Sequence, residues 1–332
     1  MDDYEGETPL TCAASNDWVD VLRVLLNDER VEIDLCPGWG QGKDGQGSTH
    51  TALWWAVWSR KERAARHLRE RGAAFPRIKG ENLVRSLCID AIEKEMVTIL
   101  EIVLGTCRNE YATGQGPRGF FRWQFFSNHH RRTLISLAAE TGNVHVLELL
   151  ERHSDNFSGG MNLLDSHGRT AIWYAASNGH DAALRVLLPL VDHPRAIEFA
   201  DDQGKTPLVE AAEQWTSRRE YPASQRSRAL ARRADVIRQL LLHPMVKTEL
   251  LSDEDLWLLL GRSVRGRHVE IVGGLVRKDS RVNHQSTCFD GSNKMTLISW
   301  AENSRHKDLV AQLLEKMRCT DEASSESDNT VC

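Results

Sequence analysis

The chain has 332 residues, 41% hydrophobic and 27% charged, with 47 acidic side chains against 42 basic ones and a formal net charge of −5. This is the balance of a soluble folded protein, and its mild acidity excludes the global field that draws a protein onto nucleic acid or an anionic membrane. Seven cysteines (12, 36, 88, 107, 288, 319 and 332) form no Cys-x-x-Cys, and Cys12 and Cys88 sit in apolar segments. That usage points to reduced thiols inside a cell, in cytoplasm or nucleus. The start MDDYEGETPL has neither a basic leader nor an apolar stretch, and no run reaches the roughly 18 apolar residues of a membrane span.

In chain order, the first predicted element is the block Thr8-Pro-Leu-Thr-Cys-Ala-Ala, opening a two-helix unit near 6–28. A Gly-rich insertion, Cys36 to Ser48, reads as a connector. It lacks the Lys-Ser/Thr ending of a phosphate loop. Thr51-Ala-Leu-Trp-Trp-Ala-Val opens the second unit near 49–73, and a weaker copy without the Thr start follows near 82–104. The second insertion, Gly105 to Arg132, carries Phe120-Phe121-Arg122-Trp123-Gln124-Phe125-Phe126 and then His129-His130-Arg131-Arg132. Five aromatics in seven residues are expected to fold back on the protein rather than stay in water.

Thr133-Leu-Ile-Ser-Leu-Ala-Ala, Thr170-Ala-Ile-Trp-Tyr-Ala-Ala and Thr206-Pro-Leu-Val-Glu-Ala-Ala open units near 131–152, 168–190 and 204–243. The last contains a third insertion, Gln214 to Arg233, with arginines at 218, 219, 226, 228, 232 and 233, read as an extension of that unit's second helix. A second weak copy lies near 253–276, and Thr296-Leu-Ile-Ser-Trp-Ala-Glu opens a last unit near 294–317. Residues 319–332 form an acidic, Ser-rich tail expected to be disordered.

The block has a local logic. Thr caps the helix it precedes, Pro is tolerated in the first turn, and paired Ala lets helices approach closely. A two-helix unit cannot bury its apolar face alone, so copies must stack. Successive Thr starts lie 43, 82, 37, 36 and 90 residues apart, the two long intervals each enclosing one weak copy.

These six Thr blocks, with breaks such as Thr141-Gly-Asn and Asn178-Gly-His, resemble the ankyrin-repeat family, and their wording is similar to fungal arrays. The resemblance implies an all-α ankyrin-repeat solenoid of about eight helix-turn-helix repeats with three insertions. It also implies a scaffold that binds another protein through a concave groove and turn tips. The residues so placed are Trp58, His50, His129, His130, Arg132, Glu140, His167, Arg169, Ser177, Asn178, Lys205 and Glu213. Trp54, Trp55, Trp173 and Trp300 are expected in repeat cores, with Trp58 left as an exposed anchor.

No cofactor is expected. Equivalent histidines on adjacent repeats stand about 8 to 10 Å apart, too far to share a zinc at about 2 Å each. A reading from another class stays beside the scaffold: fungal-type arrays can serve specialised metabolism, where an aromatic-walled groove with Glu140, His130 and Glu213 could hold a small molecule for acid–base chemistry.

Overall fold

A computed structural model describes residues 8–35, 50–75, 81–112, 132–153, 163–191, 193–216, 223–283, 285–290, 293–303, 305 and 307–315. They belong to two compact units, Met1–Phe157 and Ser158–Cys332. In the first unit the helices pair as Pro9–Ser15 with Val19–Leu25, Ala52–Trp58 with Glu62–Glu70, Glu81–Glu93 with Val97–Ala112, and Leu134–Thr141 with Val144–His153. In the second, Ala171–Asn178 pairs with Asp181–Leu187, Pro207–Thr216 with Ala223–Leu242, and Asp253–Arg265 with Val269–Lys278; Leu297–Asn303 is followed by helical residues 307–315. Both units are therefore stacks of helix-turn-helix repeats.

The stacks begin at their caps. Thr8, Thr51 and Thr133 hold extended backbone ahead of their helices, and each hydroxyl accepts the N–H three residues on, at 3.1, 3.2 and 2.9 Å. Thr170, Thr206 and Thr296 do the same in the second unit at 3.2, 3.3 and 3.4 Å. Ser252 supplies the cap in the weak repeat, receiving the Asp255 N–H at 3.0 Å. Each cap contributes about 1 kcal/mol, which gives a purely local reason for the recurrence of Thr.

Between paired helices the chain turns through a residue of positive φ: Asp17, Arg60, Glu95 and Gly142 in the first unit, Gly179, Arg267 and Arg305 in the second. Glycine adopts that conformation freely, whereas an L-residue costs about 1–2 kcal/mol. Two of the non-glycine turns link repeats. Asp17 Oδ1 accepts the Ala64 N–H at 2.8 Å, and Arg60 bonds Asp90 and Ser86.

Alanines and leucines of both helices form the core: Ala13, Ala14, Leu53 and Ala56 on inner helices with Leu22, Ala64, Ala65 and Leu68 on outer ones in the first repeats, Ala175 and Ala176 with Leu184 and Leu187 later. Trp173, Trp215 and Trp300 are buried. Trp54 and Trp55, expected in the core, are only half-buried. They form part of a surface aromatic cluster instead, in which His50, ahead of the helix, and Trp58, at its end, stack on Trp54.

The Arg-rich third insertion is helical from residue 223 onward, as the start of the 20-residue helix Ala223–Leu242. The Gly-rich connector, residues 113–131 of the second insertion and the acidic tail lie outside the described residues. A short antiparallel hairpin, Thr287–Asp290 with Asn293–Thr296, was not expected; it pairs Cys288 with Met295 and leads into the last Thr cap.

The second unit contains a buried ionic clamp. Asp279 is 3% exposed and receives two bonds from the Arg281 guanidinium, at 3.0 and 2.9 Å, and that guanidinium also reaches the Thr248 and Leu251 carbonyls. Burial opposes ionisation of Asp279, but the hydrogen bonds and charge of Arg281 outweigh it and hold the carboxyl below its ordinary value. A depressed carboxyl stabilises the fold above the unfolded value of about 3.9 and loses that contribution as pH falls through the folded one. Asp279→Asn is therefore expected to lower the urea midpoint at pH 7 and to flatten its decline below about pH 5; a parallel decline in both proteins would refute the clamp.

Candidate partner-binding site

Numbering each strong repeat from its capping Thr places eight of the twelve candidates (His50, Trp58, Arg132, Glu140, Arg169, Ser177, Lys205 and Glu213) at two positions, the residue before it and the residue seven after it. These positions lie about two helical turns apart, with the residue three after Thr between them. In the repeat of Thr133 the outer positions are Arg132 and Glu140, which form an ion pair. In the repeat of Thr206 they are Lys205 and Glu213, joined at 2.5 Å, with Glu210 3.8 Å from the same ammonium. The hydrogen bond that Lys205 donates to Glu213 raises the Lys205 pKa against the opposing effect of burial.

Two repeats carry tryptophan at the middle position, and there the preceding residue stacks on it. His50 lies on Trp54 with ring centroids 3.8 Å apart and planes within 3°. Arg169 lies over Trp173 at 4.3 Å. A guanidinium or imidazole plate against an indole face gains dispersion together with attraction to the ring quadrupole. In the repeats of Thr8 and Thr133 the middle residue is a hydroxyl that returns the cap: Thr11 Oγ1 and Ser136 Oγ accept the N–H of Thr8 and Thr133, both at 2.9 Å. In these four repeats the middle position either closes the cap or builds a stacked surface, whereas in the Thr206 repeat it is the buried Val209.

The Thr51 repeat extends this stack. Trp58, at the seventh position, stacks on Trp54 at 5.1 Å with planes 11° apart, and Trp55 meets Trp54 edge-on at 5.2 Å. His50, Trp54 and Trp58 therefore form an aromatic row along helix Ala52–Trp58, and Trp58 at its end is 42% exposed. The expectation that Trp58 stands out from the core holds in this geometry.

In the second unit the turns before Thr170 and Thr206 share the wording Asp-x-x-Gly-[Arg/Lys]-Thr. Asp165 Oδ1 accepts the His167 and Arg169 N–H at 2.8 and 2.9 Å, while its Oδ2 accepts the Tyr174 hydroxyl at 2.6 Å. Asp201 Oδ1 likewise accepts the Gln203 and Lys205 N–H, at 3.0 and 2.9 Å, and its Oδ2 lies 3.5 Å from Arg169 Nε. Adjacent turns are tied by the Asp202 N–H donating to the His167 carbonyl at 2.8 Å and by His167 Nδ1 meeting Asp202 Oδ2 at 2.9 Å. The bond from His167 lowers the Asp202 pKa.

The remaining candidates divide. Ser177 donates to Glu210 at 3.0 Å and its carbonyl receives Arg233 at 3.1 Å, so it bridges neighbouring helices. Asn178 turns back to the Tyr174 carbonyl at 3.0 Å and serves its own helix. His129 and His130 lie outside the described residues. Asp165, Asp201 and Glu210, which the sequence reading passed over, organise this part of the second unit together with Arg233, which it named only as part of the Arg-rich insertion. The repeated Asp-x-x-Gly before two Thr caps was the available signal.

Glu140 and Glu213 each pair with a cation of their own repeat, Arg132 and Lys205. A cavity of about 460 Å³ lies between helix Ala223–Leu242 and the turn into Val269–Lys278, but its lining, including Asp235, Arg238, His268 and Glu270, contains none of these candidates. Among the described residues, no cluster of three or more His, Cys, Asp or Glu side chains could hold a metal ion.

Thr-capped inner helices, positive-φ turns and stacked outer helices define the class as a helical-repeat solenoid. A model of the single ankyrin repeat matches residues 5–36, and a three-copy ankyrin repeat model matches residues 90–195 and 135–220. The chain belongs to the ankyrin repeat family, and its fold is the all-α ankyrin-repeat solenoid. An ankyrin repeat domain from Acinetobacter baumannii AYE is 23% identical, with a TM-score of 0.36 over 71% of this chain and 97% of that one. A second ankyrin repeat protein of known structure is 15% identical, with a TM-score of 0.39 over 82% of this chain and 98% of its own. No curated protein matches the chain.

Proposed function

We propose that this chain is an intracellular scaffold that docks a segment of a partner protein on its inner-helix rows and turn tips. Ankyrin repeats typically mediate protein–protein interactions, and the surface described above has the composition such binding uses. Aromatic residues and arginine sit at fixed places in the repeats, beside ion pairs such as Arg132 with Glu140. The observation that carries the reading is Trp58, 42% exposed at the end of a stacked row whose other members hold it in place. A large aromatic prepositioned at the surface loses little freedom on binding, which is how a few residues come to dominate an interface.

The polar positions are suited to orientation. Arg132 with Glu140 and Lys205 with Glu213 offer charges of both signs at equivalent places in their repeats. Among the described residues no helix is long and apolar enough to cross a membrane.

Affinity capture from native lysate with the intact chain and with Trp58→Ala, read by mass spectrometry, tests the proposal. The variant is expected to keep the wild-type melting midpoint and lose a specific protein, with affinity weakened about 30-fold for a central anchor. Identical protein profiles from the two baits, or a metabolite retained by both with no protein, would overturn it.

A further inference from the structure

We propose that the residue seated on Trp58 is an arginine of the partner, its guanidinium stacked on the open end of the His50–Trp54–Trp58 row. This deepens the scaffold reading and rests on it. The chain itself supplies the template. Where a cation meets a tryptophan among the described residues, it is a guanidinium: Arg169 over Trp173 at 4.3 Å and Arg262 over Trp215 at 5.3 Å. In the Thr170 repeat the stacking arginine comes from the position before Thr, whereas in the Thr51 repeat His50 holds that position and the row runs on to an exposed indole.

Charge selects a cation over a neutral ring. Helix Ala52–Trp58 packs on helix Pro9–Ser15 of a first repeat whose described residues 8–35 contain six acidic side chains and two basic ones. Both of those arginines already face acids of that repeat, Arg23 at Asp20 and Arg30 at Asp28. Arg60, the cation next to Trp58, is held by Asp90 and by the Trp58 carbonyl. An incoming cation thus meets an indole face beside an acidic repeat. Geometry then selects arginine over lysine. The guanidinium is a weakly hydrated plate that can lie parallel to an indole and keep its edge N–H groups hydrogen-bonded, while an ammonium must shed bound water to approach.

The test uses the full chain with ¹⁵N-labelled indoles and nine-residue Gly/Ser peptides carrying a central Arg, Lys, citrulline or Phe. Citrulline keeps the plate and removes the charge. The Arg peptide is expected to shift the Trp58 and Trp54 indole signals, assigned through Trp58→Phe. The Lys peptide should bind a few-fold more weakly and the citrulline peptide about tenfold more weakly. Raising salt should weaken the Arg peptide and leave the citrulline peptide unchanged. Trp58→Ala should abolish the response while its circular dichroism matches wild type. Equal binding of the citrulline or Phe peptide, or shifts confined to an exposed tryptophan elsewhere such as Trp257, would overturn the proposal. The two readings fail separately. If a captured partner depends on Trp58 yet binds undiminished when each of its arginines is replaced, the scaffold stands and the arginine assignment falls.

Discussion

Ala176→Asp will lower the thermal midpoint of the unit that contains it by roughly 10 °C and reduce its helicity. Ala176 is 1% exposed, in helix Ala171–Asn178, which packs against Pro207–Thr216 and Asp181–Leu187. Alanine at that position permits close helix approach, so a carboxylate enters with neither space nor water. The nearest plausible cation is already engaged, since Arg233 donates to the Ser177 carbonyl at 3.1 Å and its side chain runs past Gly179. Introducing an uncompensated buried charge costs about 3–5 kcal/mol, and a domain of this size loses about 2–4 °C per kcal/mol. Because repeats interact mainly with their neighbours, the loss should spread outward from the Thr170 repeat. A wild-type melt for Ala176→Asp would show that the helix packing assigned here is wrong. Trp58→Ala is the matched control, a larger deletion in side-chain volume at an exposed site.

What the sequence reveals depends on how local each device is. A Thr hydroxyl bonded to an N–H three residues away is complete within four residues, so the caps at Thr8, Thr51, Thr133, Thr170, Thr206 and Thr296 could be read directly, and the repeat fold followed. Ser252 does the same work under a different letter, so its repeat was recognised only by rhythm. Turns were legible where glycine marks them and hidden where Asp17, Arg60, Glu95, Arg267 and Arg305 take positive φ, since nothing about an isolated arginine announces that conformation.

The candidate surface was legible in position and hidden in pairing. Alignment placed Arg132, Glu140, Lys205 and Glu213 at matching sites, but the fact that the residue before Thr reaches the one seven after it emerges only with coordinates. Those pairs turn apparent free charges into satisfied ones. Tryptophan at the middle position was ambiguous for a related reason. Trp173 is buried under Arg169, while Trp54, in the same place, stays half-buried between His50, which precedes its helix, and Trp58 at the end of that helix. The hairpin at 287–296 had a signal in Asp290-Gly291, but its strands are only four residues each, too short for alternation to stand out.

Trp215→Ala should destabilise the second unit by about 3–5 kcal/mol, the range for deleting a buried indole. Trp215 is 2% exposed and joins several elements: its Nε1 donates to the Leu230 carbonyl at 3.1 Å, Arg262 lies over its ring at 5.3 Å, and His268 meets its edge at 5.3 Å. Truncation opens a cavity, strips a carbonyl of its donor and removes the face on which a cation rests. Trp215→Phe retains most of the volume and loses the N–H, so about 1 kcal/mol of the loss should remain if the hydrogen bond acts as drawn. His268 provides an independent readout. Burial lowers its pKa, the Arg262 charge adds to that, and Asp235 opposes both. A histidine with a depressed pKa takes up its proton more readily in the unfolded chain, so stability is full above the unfolded value of about 6.5 and declines as pH falls below it. Removing the indole admits water to the imidazole, which should raise the His268 pKa toward 6.5 and flatten that decline. Proton NMR titration of His268 in wild type and Trp215→Ala measures the shift directly; an unchanged titration with a lowered midpoint would mean that Trp215 fills space without setting the environment of the turn.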